Sequence, residues 1–278
     1  MSKRQPWVAL RPRAIRGYVP TVWIASNPNV LSGTHKYSFR NVLDRRFSAG
    51  GPSGYFNGSQ AANTVVTGAA SNPFAGCTSA TIVVSATPIV LPGSGVEHRL
   101  LTHWAVGGGG FDAFLVWWNG PNFGFGLRNA VSTIEARYGA GGVSNGKLAN
   151  CVSTWNNART SGNVDRHRFW INGTQLTSTD LFSNGDINPV CSDITGNMVF
   201  GADGNTTNPA GATHLHMWAA YPGDIGDADA LALSINPWDV FYDPPPARYG
   251  AFTVGGASFQ PAWAIAANTV IQSGARAA

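Results

Sequence analysis

The chain has 278 residues, of which 12% are charged, and it carries 34 Gly and 17 Pro. An average soluble domain is about 25% charged and helix surfaces are normally written in Glu, Lys and Arg, so these figures exclude a helical bundle. A 44% hydrophobic content with ten Trp, fourteen Phe and seven Tyr excludes disorder and points to an all-β protein.

The net charge of +4 is unevenly divided. Residues 1–46 hold nine of the eighteen Lys and Arg and one acid, Asp44, a balance of +8; the rest of the chain carries −4. Between Arg168 and Arg248 stand nine Asp and no Lys or Arg. A basic arm before a mildly acidic body is suited to an acidic partner surface, with Lys3, Arg4, Arg11, Arg13 and Arg16 as the contacts. It reads equally as a solubilising tail. The three Cys lack any paired spacing for zinc, so reduced thiols are expected. The start has no 7–15-residue apolar run and no segment nears 18 apolar residues. Neither an export signal nor membrane contact is expected.

In chain order, residues 1–46 read as an arm with Pro6, Pro12, Pro20 and Pro28, carrying short strands at Tyr18–Ile24 and Tyr37–Leu43. From about Ser53, apolar runs alternate with Gly, Asn, Asp and Ser clusters. Strands are expected at Gly54–Phe56, Asn63–Thr67, Ala80–Ala86, His98–Ala105, Ala113–Trp118, Phe123–Arg128, Val131–Tyr138, Leu148–Trp155, Arg166–Ile171, Met198–Gly201 and His214–Ala220. They are rich in Val, Ile, Thr and aromatics. Asn-Gly occurs at 57–58, 119–120, 145–146, 172–173 and 184–185, the pair that most readily takes positive φ in a tight hairpin turn. One helix is expected over Asp224–Ser234, opened by Asp and closed before Asn236-Pro237. Residues 244–278 form a second tail. The pattern is a two-sheet antiparallel jelly-roll sandwich over 47–243 with one short helix and extended N- and C-terminal arms.

Several segments carry a resemblance. Gly54-Tyr55-Phe56-Asn57-Gly58-Ser59 is similar to the opening strand of laminin-G-like, concanavalin A-like jelly rolls. Arg168-Phe169-Trp170-Ile171-Asn172-Gly173-Thr174 resembles their aromatic-aliphatic-Asn-Gly hairpin. Met198-Val199-Phe200-Gly201-Ala202 resembles the strand that follows, and His214–Tyr221 the strand before a short acidic helix. Ile235-Asn236-Pro237-Trp238-Asp239-Val240-Phe241 resembles the ending of phage and prophage versions of this domain. The resemblance spans about residues 50–243.

This fold hosts lectins, adhesion modules and glycan hydrolases, so the site must decide. A glycosidase needs two carboxylates facing one bond. The chain has two Glu, Glu97 and Glu135, far apart and without an acidic neighbour two or four residues away, so no catalytic residue is assigned. Gly142-Val143-Ser144-Asn145-Gly146 fits G-x-S-x-G, but a strand-like run follows it where a nucleophile elbow needs a helix. His214-Leu215-His216 puts two imidazoles on one strand face, read as an exposed polar face with Leu215 in the core. The resemblance implies Ca²⁺ as a candidate cofactor, with Asp203 and Asn205 as weak candidate ligands; the same loop also reads as Asx turns, and no other cofactor is expected. Trp117, Trp118 and Trp155 are the candidate glycan contacts, against the alternative that they pack the core. Trp117 and Trp118 must point to opposite faces.

The expected function is a phage virion accessory protein, on the capsid or in the tail. It would dock to other virion proteins through its arms, form a homo-oligomer, and display a jelly roll for host-surface glycan contact. Its expected place is the virion, and nucleic acid is not an expected partner. A lectin-like adhesion module is the alternative, with a glycoside hydrolase behind it.

Overall fold

A computed structural model describes residues 12–24, 27–31, 38–39, 44–48, 51–57, 64–93, 96–105, 112–128, 134–159, 164–183, 195–201 and 211–241. The strands are β1 (Thr21–Ile24), β2 (Asn27–Leu31), β3 (Ser38–Phe39), β4 (Asp44–Ser48), β5 (Gly51–Asn57), β6 (Thr64–Ser71), β7 (Ser79–Pro88), β8 (Glu97–Ala105), β9 (Asp112–Asn119), β10 (Asn122–Arg128), β11 (Ile134–Gly139), β12 (Ala149–Asn156), β13 (His167–Ile171), β14 (Thr174–Leu176), β15 (Ser178–Ser183), β16 (Thr195–Phe200) and β17 (Ala212–Tyr221). One helix, α1 (Asp227–Ile235), and a 3-10 turn at Pro237–Val240 follow β17.

Among the described residues these strands make two antiparallel sheets. The first runs β14-β13-β12-β7-β17-β1-β2, with β5 continuing along β17 beyond β1 and β4 pairing β5. The second runs β15-β11-β10-β9-β8-β16-β6-β3. The fold is a two-sheet β-sandwich of the jelly-roll type, as the alternation of strands and turns predicts. Asn-Gly at 172–173 closes the β13–β14 hairpin with both residues at positive φ, 47° and 82°, the requirement of a type I′ turn. The Asn172 side chain also accepts from the Asn150 backbone N–H at 2.9 Å, tying the turn to β12. Asn57-Gly58 and Asn184-Gly185 extend outside the described residues.

The core between the sheets is aromatic and aliphatic. Trp23, Val84, Trp155, Phe169, Leu215 and Trp218 from the first sheet meet Leu101, Phe114, Val116, Trp118, Phe125 and Phe200 from the second. A second apolar layer covers the outer face of the first sheet. There Val22, Val83, Val152, Trp170, Met217 and Tyr221 pack with Ile225, Ala230, Leu233, Val240 and Phe241 from α1 and its flanks, and with Ile15. β7 and β17 are therefore buried on both faces, with Ile82-Val83-Val84 and Met217-Trp218-Ala219-Ala220 as their unbroken apolar runs.

This layer corrects the expected boundary at residue 46. Ala9–Tyr242 cluster as one compact unit, and residues 12–24 are built into it. β1 pairs β17 from Thr21↔Ala220 to Ile24↔Met217, Trp23 lies in the central core and Ile15 in the outer layer. The Arg13 backbone N–H donates to the Val240 carbonyl at 2.6 Å, and Pro12 bridges Phe241. The second unit, Met1–Val8 with Asp243–Ala278, lies outside the described residues, as does the expected strand-like tail. The two Cys that fall among the described residues, Cys77 and Cys151, are free thiols. No described helix is long and apolar enough to cross a membrane.

If residues 12–24 belong to the core, Trp23→Ala will cost about 3–5 kcal/mol, the usual range for deleting a buried aromatic. Equilibrium denaturation measures this. A loss under about 1 kcal/mol, typical of a surface position, would contradict it.

Candidate functional site

Strand register sorts the charged residues of the second sheet between its two faces. On β9, Phe114, Val116 and Trp118 point into the sandwich, so Leu115, Trp117 and Asn119 point outward. On β10, Phe123, Phe125 and Leu127 point inward and leave the outward positions to Gly124 and Gly126. Leu127 pairs Glu135 and Phe125 pairs Arg137. Both charged residues of β11 therefore face the interior.

They join a buried polar cluster at one end of the core. Glu135 is fully buried, with Arg137 at 3.7 Å, Arg166 at 3.6 Å and the His167 ring at 3.5 Å. Trp155 Nε1–H donates to its other carboxyl oxygen at 3.3 Å. The Arg166 guanidinium lies over the Trp155 ring. Burial alone would raise the Glu135 pKa. The nearby His167 ring, the Arg166 charge and the Trp155 N–H outweigh that and hold it at about 2. Burial lowers the His167 pKa, the pull of Glu135 notwithstanding, so at neutral pH the cations of this cluster are the arginines. Such a carboxylate is fixed in its ionised form and is unsuited to donate a proton.

The outward face carries a different group. Arg99 of β8, Trp117 of β9, Gly124 of β10 and Tyr138 of β11 lie directly opposite one another. The Trp117 indole leans over Gly124, where a Cβ would collide with the ring. The Arg99 guanidinium lies 5.6 Å from the indole centroid, within cation–π reach. Glu97 holds Arg99 Nη2 at 2.5 Å. Burial raises the Glu97 pKa, and Arg99 counters only part of that. Among the described residues, Arg99 Nε and Nη1 are buried without a hydrogen-bond partner, as is Thr102 Oγ1 farther along β8. Glu97 and Glu135 thus stand on opposite faces of the sheet and do not face a common bond.

The other expected site residues fall as follows. Trp117, Trp118 and Trp155 are all fully buried. This corrects their reading as glycan contacts: Trp118 and Trp155 pack the core, and Trp117, although outward, is covered. Arg13 and Arg16 are half-spent within the chain, approaching Asp229 of α1 at 3.8 and 3.9 Å. Lys3, Arg4 and Arg11 lie outside the described residues, as do Asp203 and Asn205. Leu215 turns to the core as expected, but His214 and His216 are buried rather than exposed. His214 Nδ1 hydrogen-bonds Ser53 Oγ at 2.8 Å and His216 Nε2 bonds Thr87 Oγ1 at 3.1 Å. Ser144 is exposed in the connection after β11, and β12 rather than a helix follows it. Around the start of α1, Arg159 binds Asp224 at 2.7 Å and Arg168 binds Asp227. These pairs use up the acidic first turn of the helix. Sequence reasoning missed the Arg99–Trp117 stack; the outward alternation of Leu115 and Trp117 against inward Phe114, Val116 and Trp118 was the available signal.

No protein-family model matches the chain, and no curated protein matches it. Solved structures with a similar arrangement include the binding domain of Paraclostridial Mosquitocidal Protein 1, at 11% identity over 77% of this chain and 52% of that one, TM-score 0.49. Domain 4 of AbnA, a GH43 extracellular arabinanase from Geobacillus stearothermophilus solved with arabinotriose, gives 11% identity over 77% and 97%, TM-score 0.48. The CBM40 of the Ruminococcus gnavus IT-sialidase, bound to α2,3-sialyllactose, gives 17% identity over 57% and 83%, TM-score 0.43. At these identities no residue or ligand carries across.

The Glu135 cluster makes a pH prediction. Its folded pKa lies below the ordinary 4.5, so its stabilisation is present above that value and is lost as pH falls toward about 2. Glu135→Gln will lower the denaturation midpoint at neutral pH, and the gap between variant and wild type will close across that window. A gap that stays constant with pH would contradict the assignment.

Proposed function

We propose that this chain is an accessory structural protein of a phage particle, a jelly roll fastened to the particle at one pole and displaying its sheets outward for glycan contact. The observation that carries this reading is the meeting of the two ends of the sandwich. Pro12 and Phe241 are bridged, so the first and last described residues of the sandwich lie side by side. Phe241 closes the Asn-Pro-Trp-x-aliphatic-Phe segment that resembles phage versions of the domain. There Asn236 caps the 3-10 turn by accepting from the Trp238 N–H, and Val240 and Phe241 are buried. The segment ahead of Pro12 contains Lys3, Arg4 and Arg11 and no acid, which suits an acidic docking surface. Arg13 and Arg16 serve the fold through Asp229 and are not assigned to the partner. In a symmetric particle the module would occur as a homo-oligomer.

A glycoside hydrolase gains no support, because Glu97 and Glu135 occupy opposite faces.

Deleting residues 1–11 removes none of the described residues that hold Pro12–Tyr18 against Val240 and Phe241. Particles assembled with this variant will retain it at occupancy reduced on the order of tenfold or more, equivalent to at least about 1.4 kcal/mol of lost docking energy. The remaining binding will depend less on salt. Wild-type occupancy on purified particles would overturn the attachment role.

A further inference from the structure

The outer face of α1 is apolar and exposed. The helix buries Ala230, Leu233 and Ser234. Ala228, Leu231, Ala232 and Ile235 stand on the other side, at the i, i+3, i+4, i+7 spacing of one stripe. Leu231 is 38% exposed and Ile235 63%; just past the helix Trp238 is 41% exposed, its ring stacked on Phe241. A helix that is apolar all round is ordinarily buried all round. No charged residue interrupts the stripe, and the charges stand at its two ends. At the N-terminal end the Arg16 guanidinium lies over Gly226, with its side chain 58% exposed and Asp229 no nearer than 3.9 Å. Arg168 binds Asp227 on the other flank. At the C-terminal end no basic residue stands in the last turn, and Asp239 adds a carboxylate there, accepting from Asn236 Nδ2 at 2.6 Å. One end thus joins an exposed cation to the positive pole of the helix, and the other joins a carboxylate to the negative pole.

From this placement we propose that the outer face of α1 is a contact between two copies of this chain, packed antiparallel about a two-fold axis. The arrangement of charge selects the occupant. A two-fold contact must be complementary to itself. Turning one helix end for end sets Arg16 and the positive pole of each copy beside Asp239 and the negative pole of the other, while Leu231, Ile235 and Trp238 cover one another between them. A partner strongly charged in either sense would meet like charge at one end of the stripe. Nine residues make a helix face of roughly 14 by 10 Å, far below the roughly 800 Å² per partner of a standard interface. So small a contact suits copies already held as neighbours, where the effective concentration is high. The inference deepens the homo-oligomer part of the proposed function, on which it rests, and stands apart from attachment through residues 1–11.

The test is sedimentation equilibrium of the full chain from about 10 μM to about 1 mM, the range of weak association. The expected result is a monomer–dimer equilibrium. Leu231→Asp and Ile235→Asp, at exposed positions that the fold tolerates, are each expected to raise the dissociation constant at least about tenfold. Arg16→Glu and Asp239→Lys are each expected to weaken self-association several-fold. A mixture of these two variants is expected to associate better than either alone, because only the mixed dimer pairs opposite charges at both ends. Circular dichroism and Tm establish that each variant is folded; should a charge-reversed variant not fold, Leu231→Asp and Ile235→Asp carry the test. A dimer that those two variants leave unchanged would overturn this surface while leaving homo-oligomerisation standing. A mixture that associates no better than its folded components would overturn the antiparallel packing. A wild-type chain that stays monomeric throughout would overturn both the contact and the homo-oligomer, and none of these results touches particle attachment.

Discussion

The fold depends on burying the first sheet on both of its faces. β17 shows this most clearly. Leu215, Trp218 and Ala220 enter the central core, while Met217, Ala219 and Tyr221 enter the outer layer. A sheet with both faces covered needs no polar face, which is why a chain of this length manages with 12% charge. The outer layer is built from two distant parts of the sequence. One is α1 with the turn after it; the other is the segment around Ile15 and Tyr18. Close packing enforces the arrangement locally. At Gly223 a Cβ would collide with the Tyr18 ring, and at Gly226, where φ is 82°, with the Arg16 guanidinium.

The few charges of the sandwich are placed with the same economy. One set is inside, where Glu135 is surrounded by Arg137, Arg166 and His167. Removing a single partner from such a cluster leaves a buried charge without compensation, which costs far more than an exposed ion pair is worth. A second set lies outward, where Arg99 is pinned on Trp117 with part of its hydrogen-bonding capacity unused. The first is closed on itself and serves the core. The second, although outward, is buried as well, with Arg99 8% exposed and Trp117 fully covered.

Much of the fold was legible in the sequence, because alternation and turn chemistry are local. The strands around Ile82, Phe125 and Trp155 and the Asn172-Gly173 hairpin follow from period-two patterns and positive φ alone. The strand at Asp44–Ser48 escaped notice because its Asp-Arg-Arg start looks like arm. The division at residue 46 failed for a related reason: charge density marks a segment as basic but not as detached, and Trp23 and Ile15 are inserted by tertiary contacts. Trp117 and Trp155 were misplaced because alternation tells which face a residue occupies, not whether that face is covered. Glu135 and Arg137 are charged positions of a strand, and only the register against Phe125 and Leu127 shows that they face inward. The candidate site was the least legible part, since Glu97, Arg99 and Trp117 are brought together only by the pairing of β8 with β9.

Residues 12–24 complete the outer layer and, through Pro12 and Arg13, hold the segment ending at Phe241. That claim stands or falls on whether the N-terminal segment is as firmly folded as the sheet it covers. Native-state hydrogen exchange measures this directly, by comparing the amides of Thr21–Ile24 with those of Ile82–Val84. The account predicts that both sets exchange only through global unfolding, with the same free energy and the same denaturant dependence. Exchange of Thr21–Ile24 by local opening, while Ile82–Val84 stay fully protected, would contradict it.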